Sequence, residues 1–323
     1  MPGVDASTLP AKHQRLLSRA EKLAGQKQRS LWSNAFRQFR HHHLAMVGMA
    51  LLIFFILATF LGGFVWTKPI NAIDFNMTSA GFSRAHPLGT DTLGQDILAR
   101  IIWGGRVSLT VGLLSATVSI LIGTLVGAVA GFFGGFTDSL MMRITDLFIS
   151  LPQLPLLLLV TFLFRDSMYN QFDKHFNNGN IGIFVLIVLV ISVFAWMPTA
   201  RLVRASFLSI REKEFVEAAR ASGATRTILI FRHILPNVLS PIIVAATLSV
   251  GSAIITESVL SFLGLGFPSD VPTCGRMLYD AKDYIQFSPH EAMVPGVMIF
   301  LTVLSVNYIG DGLRDALDPH KSH

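Results

Sequence analysis

"EFVEAARASGATRTILIFRHILPN", residues 214–237, stands between two long apolar runs, and its reading decides how the rest of the chain is understood. Its first turns have a helical period. Phe215, Ala218, Ala219 and Ser222 fall at i, i+3, i+4 and i+7, a narrow face of mostly small side chains. Glu214 and Glu217 lie in the early turns and Arg220 in the last, which suits the helix dipole. Gly223 follows as a C-terminal cap. Such a face buries too little area to anchor a helix in lipid, but it lets another protein's groove come close. The alternative is a plain linker helix, which needs no small-residue face. Pro236 marks the return to the apolar phase, at a position where its missing N–H does no harm.

The surrounding chain is built for a membrane. Of 323 residues, 51% are hydrophobic and 14% charged, with a mean hydropathy of +0.55. Soluble domains carry about 25% charged residues. Six apolar runs are long enough to span a bilayer: about 44–66, 107–133, 144–164, 181–200, 238–262 and 292–310. The first starts too late in the chain to be a cleaved signal. Six spans put both termini on one side. Eighteen Lys and Arg fall on that side, in 1–43, at Arg143, in 201–232 and in the tail, against eight in the alternate loops. The positive-inside rule then makes both termini cytoplasmic. The pI of 9.7 follows from this asymmetry, and there is no basic-aromatic module for nucleic acid. The fold class is therefore an all-α polytopic membrane protein. It has a cytoplasmic segment 1–43, a membrane domain 44–310 and a cytoplasmic tail 311–323.

Several features invite a sharper reading. In "SLWSNAFRQFRHHH", residues 30–43, Trp32, Phe36 and Phe39 share one helical face, which predicts a helix lying on the membrane surface. The triplet His41–His43 reads as a polar membrane flank rather than a metal site. Small residues recur every fourth place from Ser115 through Ser119, Gly123, Gly127 and Gly131 to Gly135. A spacing of four drifts by about 40° per step on an α-helix, so this stripe should wind past several neighbours. Pro152 and Pro155 predict a kinked or late-starting third span. Asp138, Arg143 and Asp146 cluster near its inner end, and Arg143 and Asp146 read as a structural ion pair. Glu257 lies within the fifth apolar run, where an acidic group lines a pathway or meets a polar partner. The single cysteine, Cys274, falls in a predicted outer loop. No phosphate-binding loop, H-E-x-x-H motif or other catalytic cluster is present in the sequence, so no catalytic residue, bound cofactor or metal is expected on this chain.

Four stretches carry a resemblance. "EAA" at 217–219, Gly223 and "ILP" at 234–236 resemble the cytoplasmic loop of inner-membrane permease subunits of binding-protein-dependent ABC importers. His233 stands where that family usually has Ile. "HPLGTDTLGQDILARIIWGGRVSLTVG", residues 86–112, is similar to the outer segment of the second permease of dipeptide and oligopeptide importers, with Gln95 in place of Arg and Ala99 in place of Ser. "TESVLSFLGLG", 256–266, and "GDGLRDALDP", 310–319, resemble the same peptide/nickel branch. The outer stretch 165–180 is longer than is usual there.

The resemblance implies a type I ABC importer transmembrane domain, with a permease core over about 105–310, in the bacterial inner membrane. It implies that Phe215, Glu217, Ala218, Ala219, Ser222, Gly223 and Pro236 belong to a loop that docks on an ATP-hydrolysing subunit. The implied partners are a second homologous permease, two ATP-binding subunits that bind the ATP, an external substrate-binding protein and the surrounding lipid. The implied substrate is a short peptide, with nickel or a glutathione-like compound as alternatives. An ion-coupled transporter working alone is the rival from another class. It would need paired acidic residues at the bilayer midplane, and only Glu257 comes near.

Overall fold

The computed structural model describes residues 31–317, with side chains from Phe36 onward. The side chain of Trp32, the chain before Leu31 and the tail beyond Leu317 lie outside the described residues. The described chain is helical, with an isolated bridge between Thr90 and Asp96 and no strand. Its helices are α1 (Leu31–His41), α2 (His43–Val65), α3 (Ile97–Phe133), α4 (Gly135–Ser150), α5 (Gln153–Phe176) and α6 (Gly179–Ala195). They continue as α7 (Met197–Arg211), α8 (Glu214–Ala221), α9 (Arg226–Phe262), α10 (Cys274–Ala281) and α11 (Pro289–Leu317).

Four helices, α2, α3, α9 and α11, are long and apolar enough to cross a membrane by themselves. The pairs α4–α5 and α6–α7 meet the same test when each is taken as one broken span, bent by 86° and 44°. The run 144–164 is therefore not one straight span. It straddles the break at Leu151–Pro152, where proline cannot continue the preceding helix, so α4 and α5 part there. The 165–180 stretch is not an extended outer loop either: α5 runs through it to Phe176 and ends on Asn177 in the left-handed region, φ 52°. The span assigned to 238–262 begins at Arg226, ahead of Pro236, because a π-helical turn over Leu229–Ile234 joins the two halves.

The centre of the bundle is the seam between α3 and α7, the most extensive helix–helix contact in the described chain. A Cβ on Gly123 would lie 2.6 Å from the Trp196 carbonyl oxygen, and one on Gly131 would lie 2.6 Å from Phe207 Cβ. One on Gly127 would strike the Ala200 oxygen. These three positions face one partner, α7, whereas Ser115 meets α6 and Gly135 meets nothing, so the whole stripe does not face a single helix. A row of residues four apart is inclined to its helix axis, and a partner packed along that row stays in register with it. Ser115 meets α6, the first half of the bent pair, accepting at its carbonyl from Ser192 Oγ at 3.2 Å. In lipid, helix association depends on such close packing and on hydrogen bonds, since tails are as apolar as the side chains.

Outside the seam, α9 packs against α3 and α11, and α11 against α2, where Gly48 sits under the Ser305 carbonyl. Large apolar side chains such as Phe54, Leu125, Phe162 and Phe300 point outward, as a lipid-facing surface requires. Helix α1 forms as expected, but its apolar residues divide: Phe36 is exposed, whereas Phe39 is buried against Ala45, Ile309 and Ala316. His42 caps α2, accepting the Ala45 N–H at 3.2 Å.

Charge pairs also differ from the sequence reading. Asp146 pairs with Arg201, and Asp138 is held by both Nε and Nη2 of Arg204, so α4 is tied to α7 rather than to itself. Arg143, one turn from Asp146, is exposed.

A bulky residue at Gly127 meets backbone that cannot move aside. Gly127→Leu should therefore lose about 1–3 kcal/mol or more of stability. Gly81→Ala, whose Cβ meets open space, should leave stability unchanged. Thermal unfolding in detergent measures both, and an unshifted Gly127→Leu midpoint would refute the seam.

Candidate functional site

Helix α8 is anchored to the chain by Val216, with Ala219 beside it. Val216 is fully buried among Phe132 of α3, Val203 and Phe207 of α7, and Leu229 and Ile234 of α9. Ala219, one turn on, is half-buried against the same cluster. This corrects the four-residue face read from spacing. Val216 is the anchor and Ala219 turns inward with it, while Phe215, Ala218 and Ser222 point outward with Glu217. The apolar side of a short helix faces its own protein because Val216 supplies more burial than the alanines. That signal was in the sequence, one residue from the face chosen.

The helix ends as expected. Gly223 has φ +86° and open space around its α-carbon. Its N–H donates to the Arg220 carbonyl at 3.0 Å, and the Ala224 N–H donates to Ala219 at 3.1 Å, the paired bonds of a Schellman cap. Only the dihedral, not crowding, demands glycine here. Pro236 is exposed and sits inside α9, directly after the π-turn in which the Leu235 N–H reaches the Ile230 carbonyl. The Asn237 side chain donates to the His233 carbonyl one turn back at 2.7 Å. Arg211, which sequence spacing did not single out, donates to the Gly131 and Phe132 carbonyls at 3.3 and 3.1 Å and so caps the C-terminal end of α3.

The opposite end of α3 is fixed as firmly. Asp96 caps its first turn through the Ala99 N–H at 2.8 Å and also accepts from Trp66 Nε1 at 3.0 Å. His86 Nδ1 lies 2.8 Å from its other oxygen, with Lys68 Nζ at 3.5 Å. Asp91 accepts the Leu93 and Gln95 N–H groups, each at 2.9 Å. Burial nevertheless raises its carboxyl above the ordinary range, partly offset by those bonds and Arg100. The side chain of Gln95 accepts from Arg100, which an arginine at 95 could not do.

Glu257 is fully buried where α3, α9 and α10 meet. Its carboxylate accepts from Ser108 Oγ at 2.9 Å and Ser261 Oγ at 2.8 Å, and Thr273 Oγ1 donates to Ser261 at 3.3 Å. It opens on no solute-sized space; the neighbouring void beside Ser108 and Cys274 is about 10 Å³. Cys274 does not lie in an open loop. It starts α10 beneath the capping hydroxyl of Thr273 and is 2% exposed.

These elements describe a polytopic all-α membrane protein with a short helix presented at one end of the bundle and a stapled cap at the other. The comparisons name the class. The chain belongs to the family described as binding-protein-dependent transport system inner membrane component, whose model matches residues 123–323. A second model, the N-terminal transmembrane domain of oligopeptide transport permease C, matches residues 30–87. The protein is thus a multi-pass permease subunit of an ABC importer of the bacterial inner membrane.

Among curated relatives, the dipeptide transport system permease protein DppC of Alkalihalophilus pseudofirmus is 38% identical, covering 90% of both chains. The oligopeptide permease OppC of Haemophilus influenzae is 39% identical over 90% of this chain and 89% of its own. The glutathione permease GsiD of Pectobacterium atrosepticum is 35% identical over 90% and 92%. In fold, the chain is similar to the MetNI methionine ABC transporter in an inward-facing crystal form, with TM-score 0.53 at 20% identity. That match covers 69% of this chain and 98% of the other.

Burial pushes the Cys274 thiol from 9.0 up to about 12. At pH 8 it should hold about a thousandfold less thiolate than a free cysteine. A maleimide should therefore leave the native protein unlabelled across pH 7–9 and label it on unfolding in SDS. Rapid labelling of the native protein would refute the burial.

Proposed function

We propose that this chain is one half of the membrane channel of an ATP-driven importer of short peptides. It would pair with a second, homologous permease. An external binding protein would deliver the peptide, and two separate ATP-binding subunits would bind and hydrolyse ATP, so that this chain carries no cofactor and performs no chemistry. The relatives named for dipeptides, oligopeptides and glutathione support the substrate class, since all three are peptides. The basic surplus supports placing both termini and the 212–232 turn in the cytoplasm.

The single observation that carries the coupling role is the way α8 is mounted. One face is fixed by Val216 in a cluster shared by α3, α7 and α9, while Phe215, Ala218 and Ser222 stand free on the other. A subunit that grips the free face moves the cluster with it. Close-packed interiors transmit such displacement as rigid-body motion of helices rather than absorbing it. Glu217 and Pro236, both exposed, flank that surface. Glu257 we assign to packing: its oxygens are occupied by hydroxyl donors from two helices, and an ion-coupled carrier would need it open to a pathway.

The test separates the two faces of α8. Ala218→Trp and Gly223→Val should leave the protein inserted at normal levels yet lower ATPase-subunit retention in a quantitative pull-down by roughly tenfold to a hundredfold, the equivalent of about 1–3 kcal/mol. Ala219→Trp, forced into the chain's own cluster, should instead reduce folded protein. Normal retention and normal ATP-driven uptake with Ala218→Trp would make residues 214–223 a linker.

A further inference from the structure

Between α8 and the end of α3 lies a pocket of about 570 Å³ lined by Arg211, Arg220 and Arg226, by Glu212 and Glu217, and on its apolar side by residues that include Phe133. Three guanidiniums meet two carboxylates there. Arg211 is spent on the α3 carbonyls, and its contact with Glu212 is loose at 3.9 Å. Arg220 and Arg226 lie within 4 Å of no carboxylate among the described residues, and both are exposed. Arg226 stands over the Phe133 ring at 6.0 Å. Phe133 is half-exposed and is the last residue of an apolar span.

Arginines just beyond the cytoplasmic end of an apolar span lie near headgroup depth, where the apolar phase meets phosphate. Arginine's planar fork matches phosphate oxygens two at a time. We propose that this pocket binds the phosphate headgroup of an anionic phospholipid, with its glycerol end against Phe133. The headgroup would bridge Arg220 on α8 and Arg226 on α9 and so fix α8 against the end of α3. A peptide carboxylate from a docked subunit would satisfy the arginines but leave the aromatic wall unexplained, so lipid is the occupant the site favours. Glu217 borders both this pocket and the surface assigned above to the docked subunit, so the proposal places the lipid beside that contact.

The purified transporter complex, titrated with phosphatidylglycerol or phosphatidylcholine and examined by native mass spectrometry, tests this. Wild type should retain phosphatidylglycerol in preference. Arg220→Gln with Arg226→Gln should weaken that retention by roughly tenfold or more and leave phosphatidylcholine unchanged. Should the double variant be unstable, Arg226→Gln alone should still lose several-fold, and Arg226→Lys should recover part of it. Unchanged phosphatidylglycerol retention in these variants would overturn the proposal. So would loss of an ATP-binding subunit with lipid retention intact, which assigns the pocket to a protein contact, or complete displacement of the lipid by inorganic phosphate, which makes it a soluble-anion site.

Discussion

Close approach of α3 to α7 at Gly123, Gly127 and Gly131 is the constraint from which the rest of the structure follows. Backbone carbonyls and Cβ atoms of α7 occupy the space a side chain would need. In lipid nothing but such packing and hydrogen bonding draws helices together. Because α7 is seated there, its Val203 and Phe207 reach the cluster that receives Val216, and the position of α8 is decided by a seam several turns away. The same seating presents Arg204 to Asp138 and Arg201 to Asp146, which fastens α4 across the end of the bundle.

Polar groups complete what packing begins. At one end Asp96 gathers the cap of α3, Trp66 from α2 and His86 from the linking segment. At the other end Arg211 closes the carbonyls of α3. Between them Glu257 of α9 is tied to α3 through the Ser108 hydroxyl, while Ser261 of its own helix fills its other oxygen. A buried acidic group costs several kcal/mol in a bilayer unless its oxygens are satisfied, so these serines are as much part of the node as the carboxylate. A long helix held at its two ends and its middle is a rigid lever, and α8 sits at the end of that lever.

Much of this was legible in the sequence because it rests on short-range rules. Apolar length gave the four unbroken spans, Gly223 gave the cap, and the loop pattern at 217–236 gave the family. What was missed depends on partners distant in the chain. Spacing alone put Ala219 on the same face as Ala218, because Val216 was left out and only the fold reveals which side has a core to meet. Arg143 and Asp146 share a helical face, yet Arg201, 55 residues on, takes the acid. Cys274 was placed in an outer loop, whereas Thr273 caps a short helix there that buries it. The bend at Leu151–Pro152 was signalled by proline, but its 86° size was not.

The account turns on which surface of the bundle meets the ATP-binding subunits. A photo-reactive benzoylphenylalanine in place of Phe215, which is 45% exposed on the free flank of α8, reports this directly in the assembled complex. The same probe in place of Phe82, exposed at the opposite end of the bundle, is the control. The account predicts a covalent adduct with an ATP-binding subunit from position 215 and none from position 82. An intact complex giving that adduct from position 82, or from neither, would contradict it.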